Sequence, residues 1–250
     1  PLQGIKNNVV STKVVCECAK RNNVEKFVLI SSDKAVRPTN LMGASKRISE
    51  LVVQASQNND IKENLDFKSR TIFLMVRFGN VINSSGSVIP LFQKQIKEGG
   101  PITLTHEKIN RYFMTINEAC QLVIHSSSLA KGGDLFLLDM GNPVEIKKIA
   151  EQMISLSGLT LKNSANPKGD IEIVITGLRP GEKLYEELLI ENNSLKTKHP
   201  LIYRAKEKFI KYSELNPLID ELEKSCCNQD LKNTFRIVSK IVPEWVSNYE

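Results

Sequence analysis

Phe27-Val28-Leu29-Ile30, continued by Ser31-Ser32-Asp33-Lys34 and, after a short polar loop, by Met42-Gly43-Ala44-Ser45-Lys46, is the stretch on which the fold of this chain turns. The first four residues form a continuous apolar run of strand formers. Continuous rather than alternating apolarity predicts a strand buried on both faces, as in a parallel sheet. Ser31 to Asn40 is polar and contains Pro38, so it reads as a loop, and Leu41 to Ser56 reads as a helix. Met42 and Lys46 are four residues apart and therefore share one helix face. Open α/β sheets bind ligands just past the carboxyl ends of their strands, which is where Ser31 to Lys34 fall.

Working outward, Ile5, Val9, Val10, Val14, Val15 and Cys18 mark a helical stripe over 5–20. Thr71 to Val76 is a second buried strand, and 57–70 reads as a solvated insertion. Helix, strand, helix, strand implies right-handed crossovers and a doubly wound sheet. Beyond Val88 the texture changes. Short strands are predicted at 101–105, 111–115, 135–138 and 171–175, with helices near 88–98, 117–130, 145–157 and 182–190. This predicts a smaller, mixed α/β lobe. Residues 205–250 read as helical.

Composition narrows the function. The chain has 250 residues, 41% hydrophobic and 25% charged, which fits an ordinary globular protein of one large or two small domains. The net charge is 34 − 28 = +6, but the lysines are scattered. Without a basic stripe or a known module, nucleic acid is not an expected partner, and a small anionic ligand fits the charge. The five cysteines (16, 18, 120, 226, 227) and three histidines (106, 125, 199) lack zinc-site spacing, so no metal is expected. Free thiols suggest a reducing cytoplasm. No run of 18 apolar residues suggests a membrane span, and no signal peptide is evident.

Taken singly, Asp33 reads equally as a loop or capping residue, Lys34 and Lys46 as solvated charges, and Met42 as packing on a helix face. Together, a hydroxyl, a carboxylate and an amine within four residues at a strand end favour a site. The run from Ser31 to Lys46 resembles the active-site region of extended short-chain dehydrogenases/reductases, in which a Tyr-x-x-x-Lys pair faces a Ser or Thr at the preceding strand end. Met42 stands where that tyrosine would be, and Lys46 keeps its place. "SDKAVRPTNLMGASKR", with "VRFGNVINSSGSVIP", "RYFMTI" and "GLRPGEKLYEELL", is similar to one branch: the configuration-retaining UDP-N-acetylglucosamine 4,6-dehydratases of the CapD-like polysaccharide-biosynthesis group. The resemblance runs from about Pro1 to about Leu222.

The resemblance implies the C-terminal part of a doubly wound Rossmann-like parallel sheet plus a smaller substrate-binding lobe. The boundaries it suggests are 1–87 for the cofactor-binding part with the active site, 88–222 mainly for the substrate lobe, and 223–250 for a helical tail. It implies a tightly bound NAD or NADP recycled in each turnover, a UDP-N-acetylhexosamine substrate and a homo-oligomer pairing through the helix of Met42 and the one before it. Asp33 becomes the general acid at the C6 hydroxyl, Lys34 the base at C5, Ser32 (where Thr is usual) a donor to the C4 oxygen, and Lys46 a ligand of the nicotinamide ribose. Met42 has no ionisable hydrogen, so another group must take the proton from the C4 hydroxyl. Ser31, Arg77 and Phe78 join Lys46 as cofactor contacts. Asn80, Ser85, Ser87, Val88, Thr103, Arg111, Arg179 and Glu182 become substrate contacts. Among them, Ser84 to Ser87 precede a helix start suited to phosphate, and the two arginines suit bidentate phosphate binding. The stretch 101–105 is expected near the uracil, and His106 is expected to be structural or exposed.

No Gly-x-Gly-x-x-Gly fingerprint is present; Gly141, Gly158 and Gly181 do not form one. Relatives of full length carry it near the amino end, usually after several membrane spans. The chain is therefore expected to be the carboxyl portion of a longer, cytoplasmic or membrane-anchored enzyme, with little activity alone. Two other functions share parts of this pattern. A UDP-sugar C4-epimerase shares the fold but needs no acid at C6 or base at C5. A non-catalytic sugar-nucleotide-binding module would explain Met42 as lost catalysis.

Overall fold

The computed structural model describes residues 2–57, 71–187, 194–207 and 209–245. The solvated insertion expected at 57–70 lies almost wholly outside them. Two compact units emerge: residues 1–78, 121–139 and 187–250 form the first, and residues 79–120 and 140–186 the second. The chain thus passes between units four times. This differs from the expected boundaries at 87 and 222, because strand pairing rather than texture decides membership: 121–139 and everything from Glu187 onward return to the first unit.

In the first unit, α1 (Leu2–Ile5) and α2 (Ser11–Arg21) are joined by a π-helical turn at Lys6–Val10. They lead to β1 (Lys26–Ile30), α3 (Leu41–Gln57) and β2 (Ile72–Arg77). After an excursion through the second unit come α5 (Ile116–Leu129), whose last residues belong here, β7 (Asp134–Leu138), β11 (Ser194–Lys196), β12 (Ile202–Ala205), α7 (Tyr212–Cys227) and α8 (Leu231–Ile241). The sheet order is β1-β2-β7-β12-β11. β1, β2 and β7 run parallel, and β12 and β11 add antiparallel. The strand at 135–138 therefore extends the first sheet instead of building the second lobe. The parallel part is Rossmann-like, as the buried apolar runs predicted.

Two apolar clusters hold this unit. Cys16, Ala19, Val53, Phe73, Met75, Leu135 and Leu137 fill the space between α2, α3 and the sheet. Ile5, Val9, Ala44, Ile48, Leu51, Leu215, Ile219, Ile237, Ile241 and Trp245 form the other, in which α7 and α8 cover α3. Every residue of α3 from Arg47 to Ser56 is buried within the chain. On α2, Val14 and Val15 are each half exposed. The segment at 223–245 is accordingly part of the core of this unit.

The second unit holds β3 (Asn80–Val81), α4 (Val88–Lys97), β4 (Ile102–Leu104), β5 (Asn110–Arg111), β6 (Phe113–Met114), the start of α5, β8 (Val144–Glu145), α6 (Ile146–Leu156), β9 (Leu161–Lys162) and β10 (Ile171–Ile175). β4, β10 and β9 form a parallel three-stranded sheet, and β3–β6 and β5–β8 are small pairs. Phe92, Ile96, Ile102, Leu104, Ile146, Ala150, Ile154 and Ile171 make its core. The helix expected at 182–190 is absent over 182–187, the rest lying outside the described residues. Arg111 takes the carbonyls of that stretch instead. Among the described residues, no helix is long and apolar enough to cross a membrane.

Candidate active site

The loop after β1 is fixed by backbone bonds that prolong the strand pairing. Ser31 N–H donates to Val76 O at 2.8 Å, and Asp33 N–H to Phe78 O at 3.2 Å. Ser32, in extended conformation, caps a 3₁₀ turn at Asp33–Ala35, its hydroxyl accepting from Lys34 N–H. Asn40 then starts α3, its side chain accepting from Gly43 N–H at 2.9 Å. A Cβ at Gly43 would lie 2.3 Å from the Lys34 carbonyl oxygen. Glycine at that position is what lets α3 pack against the site loop.

Asp33 is fully buried. Its Oδ1 accepts from the Ser32 hydroxyl at 2.7 Å and from Lys34 Nζ at 2.9 Å. Among the described residues its Oδ2 is buried with no hydrogen-bond partner. Burying a polar oxygen without a partner is costly, so this atom is suited to meet a hydrogen-bonding group of a ligand. Lys34 is 30% exposed. Met42, 47% exposed, and the half-buried Lys46 share the outer face of α3, as the four-residue spacing predicts. Among the described residues the Lys46 ammonium has no hydrogen-bond or ion-pair partner. Ser32 to Lys34 and the Met42–Lys46 face are thus brought into one unit by the β1 end and the α3 start.

Ser31 and Arg77 do not fit the role of cofactor contacts. Ser31 is 5% exposed and its hydroxyl donates to Glu50 Oε1 at 2.6 Å. Arg77 is wholly buried: Nε and Nη2 donate to Glu50 at 2.7 and 2.6 Å, and Nη1 and Nη2 to Glu207 at 2.6 and 2.9 Å. Arg47 adds bonds of 3.0 Å to both Glu50 and Glu207. Burial alone pushes the Glu50 carboxyl up, but Arg77, Arg47 and Ser31 together hold it below the usual carboxylate range. Sequence reading missed Glu50, Arg47 and Glu207. Glu50 had a signal, since Met42, Lys46 and Glu50 recur every four residues along one face; Glu207 had none. Phe78 is half-buried, and its carbonyl holds Asp33.

The remaining candidates lie in the second unit. Asn80 N–H pairs with Tyr112 O at 3.1 Å. Ser85 is exposed, Gly86 has φ +71°, and Ser87 precedes α4. The Ser87 hydroxyl makes no capping bond and is buried without a partner among the described residues. The first amides of α4, from Val88, lack intrahelical acceptors, so a phosphate could take them together with that hydroxyl. Thr103 is engaged by Gln95, whose amide spans its hydroxyl at 2.7 Å and its N–H at 3.1 Å. Arg111 donates to the carbonyls of Asn110 (2.7 Å), Lys183 (2.8 Å) and Leu184 (3.3 Å), with Glu182 and Glu186 beside it. Its guanidinium fastens the 182–186 stretch and is not held open for an anion. Glu182 accepts from Thr105 at 3.1 Å and from Arg179 N–H at 3.1 Å. The exposed Arg179 guanidinium makes no hydrogen bond or ion pair among the described residues.

The chain is similar to the capsular polysaccharide biosynthesis protein CapD of Staphylococcus aureus, at 48% identity over 227 residues, covering 89% of this chain and 35% of that protein. It is 34% identical over 189 residues to a UDP-glucose 4-epimerase of Rickettsia rickettsii, covering 76% of this chain and 50% of that one. It therefore spans half or less of the length of these two relatives. Among solved structures, Pen from Bacillus thuringiensis matches with TM-score 0.68 at 35% identity, over 85% of this chain and 67% of that one. A dTDP-glucose 4,6-dehydratase from Bacillus anthracis in complex with NAD matches with TM-score 0.56 at 19% identity, over 70% and 58%, and speaks for the fold alone. The model of the family described as polysaccharide biosynthesis protein matches residues 1–207, so the chain belongs to that family, which is related to nucleotide-sugar dehydratases and epimerases.

Proposed function

We propose that this chain carries the catalytic residues of a UDP-N-acetylglucosamine 4,6-dehydratase serving surface-glycan synthesis in the cytoplasm. The reaction oxidises C4, eliminates water across C5 and C6, and reduces C6, giving a UDP-4-keto-6-deoxy-N-acetylhexosamine. The observation that carries this reading is Asp33: a fully buried carboxyl group at a strand end, with one oxygen held by Ser32 and Lys34 and the other without a partner among the described residues. An acid for a departing hydroxyl and an amine to take a carbon-bound proton stand side by side.

In this mechanism Asp33 delivers a proton to the C6 hydroxyl, which leaves as water. Lys34 takes the C5 proton and later returns it. The Ser32 hydroxyl takes the C4 hydroxyl proton as it passes its own to Asp33, 2.7 Å away, and that proton is the one Asp33 delivers at C6. A bound NAD would supply the hydride chemistry between C4 and C6 with no net reduction. Lys46, with three unengaged donors, fits a nicotinamide ribose. The Ser87 hydroxyl with the first amides of α4, and Arg179, fit a nucleotide diphosphate.

The test is the full-length protein with NAD and UDP-N-acetylglucosamine. Product lighter by one water, with no accumulating NADH, is the expected result; stoichiometric NADH release overturns it. A product of unchanged mass would support C4 epimerisation, a reading favoured by the Rickettsia relative but leaving Asp33 and Lys34 without work.

A further inference from the structure

The Ser31–Glu50–Arg77–Glu207 chain is buried, extensive and without a step in the reaction above. Arg47 and Arg77 face Glu50 and Glu207, each side chain 5% exposed or less, and the more exposed Glu244 lies 3.7 Å from Arg47 Nε. A buried ion network is no guide to stability, since apolar packing of equal volume often does as well. What sets this one apart is where it ends. Its last donor is the Ser31 hydroxyl, one residue before Ser32 and two before Asp33. It joins four separated parts of the first unit: the β1 end (Ser31), α3 (Arg47, Glu50), the β2 end (Arg77) and the segment before α7 (Glu207).

We propose that Glu50, clamped by Arg77 and Glu207, is the positioning device of the Ser32–Asp33–Lys34 turn, acting through the Ser31 hydroxyl. Two backbone bonds also anchor the turn, Ser31 N–H to Val76 O and Asp33 N–H to Phe78 O. Both acceptors flank Arg77 in the chain, so the guanidinium fixes the strand end that receives the bonds while Glu50 fixes the hydroxyl of the residue that donates one. Glu50 also lies in the helical row of Met42 and Lys46, so the same clamp sets the rotation of α3 that presents them. Glu207 makes the C-terminal segment part of the site's support.

The consequence for catalysis rests on the dehydratase reading; the consequence for local order does not. The test uses the full-length protein with Ser31→Ala, which removes one hydrogen bond and leaves all four charges paired, and Ser31→Thr, which restores the hydroxyl. Amide hydrogen exchange of Ser31 and Asp33 is expected to quicken about ten-fold or more in Ser31→Ala, with α8 unchanged and Ser31→Thr near wild type. kcat for water loss is expected to fall at least about ten-fold, because small misplacement of reacting groups is costly, with KM within about two-fold. Glu207→Gln is expected to move the same two amides. A folded Ser31→Ala with unchanged exchange at Ser31 and Asp33 overturns the proposal, as does quickened exchange with wild-type kcat. If the wild type releases no water, the dehydratase reading fails and exchange alone decides the positioning.

Discussion

Asp33 and Lys34 are adjacent in sequence and joined by a 2.9 Å contact, yet their surroundings differ: the carboxyl group is fully buried, and the amine is 30% exposed. Asp33→Asn keeps the shape and removes the transferable proton. Turnover of the full-length protein is expected to fall by about 10²–10⁴-fold, with substrate affinity by calorimetry little changed. Lys34→Ala should lose a similar factor, read as lost exchange of the C5 proton with deuterated solvent. Arg111 belongs to a different kind of residue. It donates to three carbonyls and lies beside Glu182 and Glu186, and truncating it removes all of those contacts. Arg111→Ala is expected to destabilise the second unit by about 2–3 kcal/mol in urea unfolding. A charge that sequence reading assigned to phosphate is thus spent on holding the 182–186 stretch. Sequence showed its type; only the folded chain decides which oxygens it meets.

The decisive element is α3, since it carries Met42 and Lys46 on one face, meets the site loop at Gly43 and feeds Glu50 into the buried network. Alanine is favoured over glycine inside a helix by about 1 kcal/mol. At Gly43 that gain is outweighed, because the added Cβ would sit 2.3 Å from a backbone oxygen, and overpacking costs about 1–3 kcal/mol. Gly43→Ala is therefore expected to lower the unfolding midpoint and to lower turnover disproportionately, since the carbonyl displaced is that of Lys34. The helix itself was legible from its apolar spacing. So were β1 and β2, whose unbroken apolar runs could only be buried on both faces. Over 182–187 the helix expected at 182–190 is replaced by a stretch whose Lys183 and Leu184 carbonyls are taken by Arg111 and by Asn110 N–H instead of by its own amides.

For the molecule as a whole, acid sensitivity should centre on the first unit. The folded-state pKa of Glu50 lies below its unfolded value, so its stabilising contribution is complete above the ordinary carboxylate range, near pH 4.3. It is lost as pH falls through the depressed value. Urea midpoints measured from pH 7 to pH 3 should drop in the wild type. Glu50→Gln should be less stable by about 3–5 kcal/mol at pH 7, leaving Arg77 short of a partner, and should show a flatter acid limb.

Local pattern was enough to determine a parallel α/β sheet, the strand-end position of Ser32, Asp33 and Lys34, and the shared face of Met42 and Lys46, because each depends on residues within one or two turns of each other. Tertiary structure alone decided that 134–138 joins the first sheet, that the C-terminal helices cover α3, and that Arg77 and Ser31 serve Glu50 instead of a ligand. Those outcomes depend on partners far apart in the chain. Glu207 and Arg77 are separated by 130 residues and meet at 2.6 Å. No spacing rule reaches that far; the cost of burying each charge without its opposite is what brings the pair together.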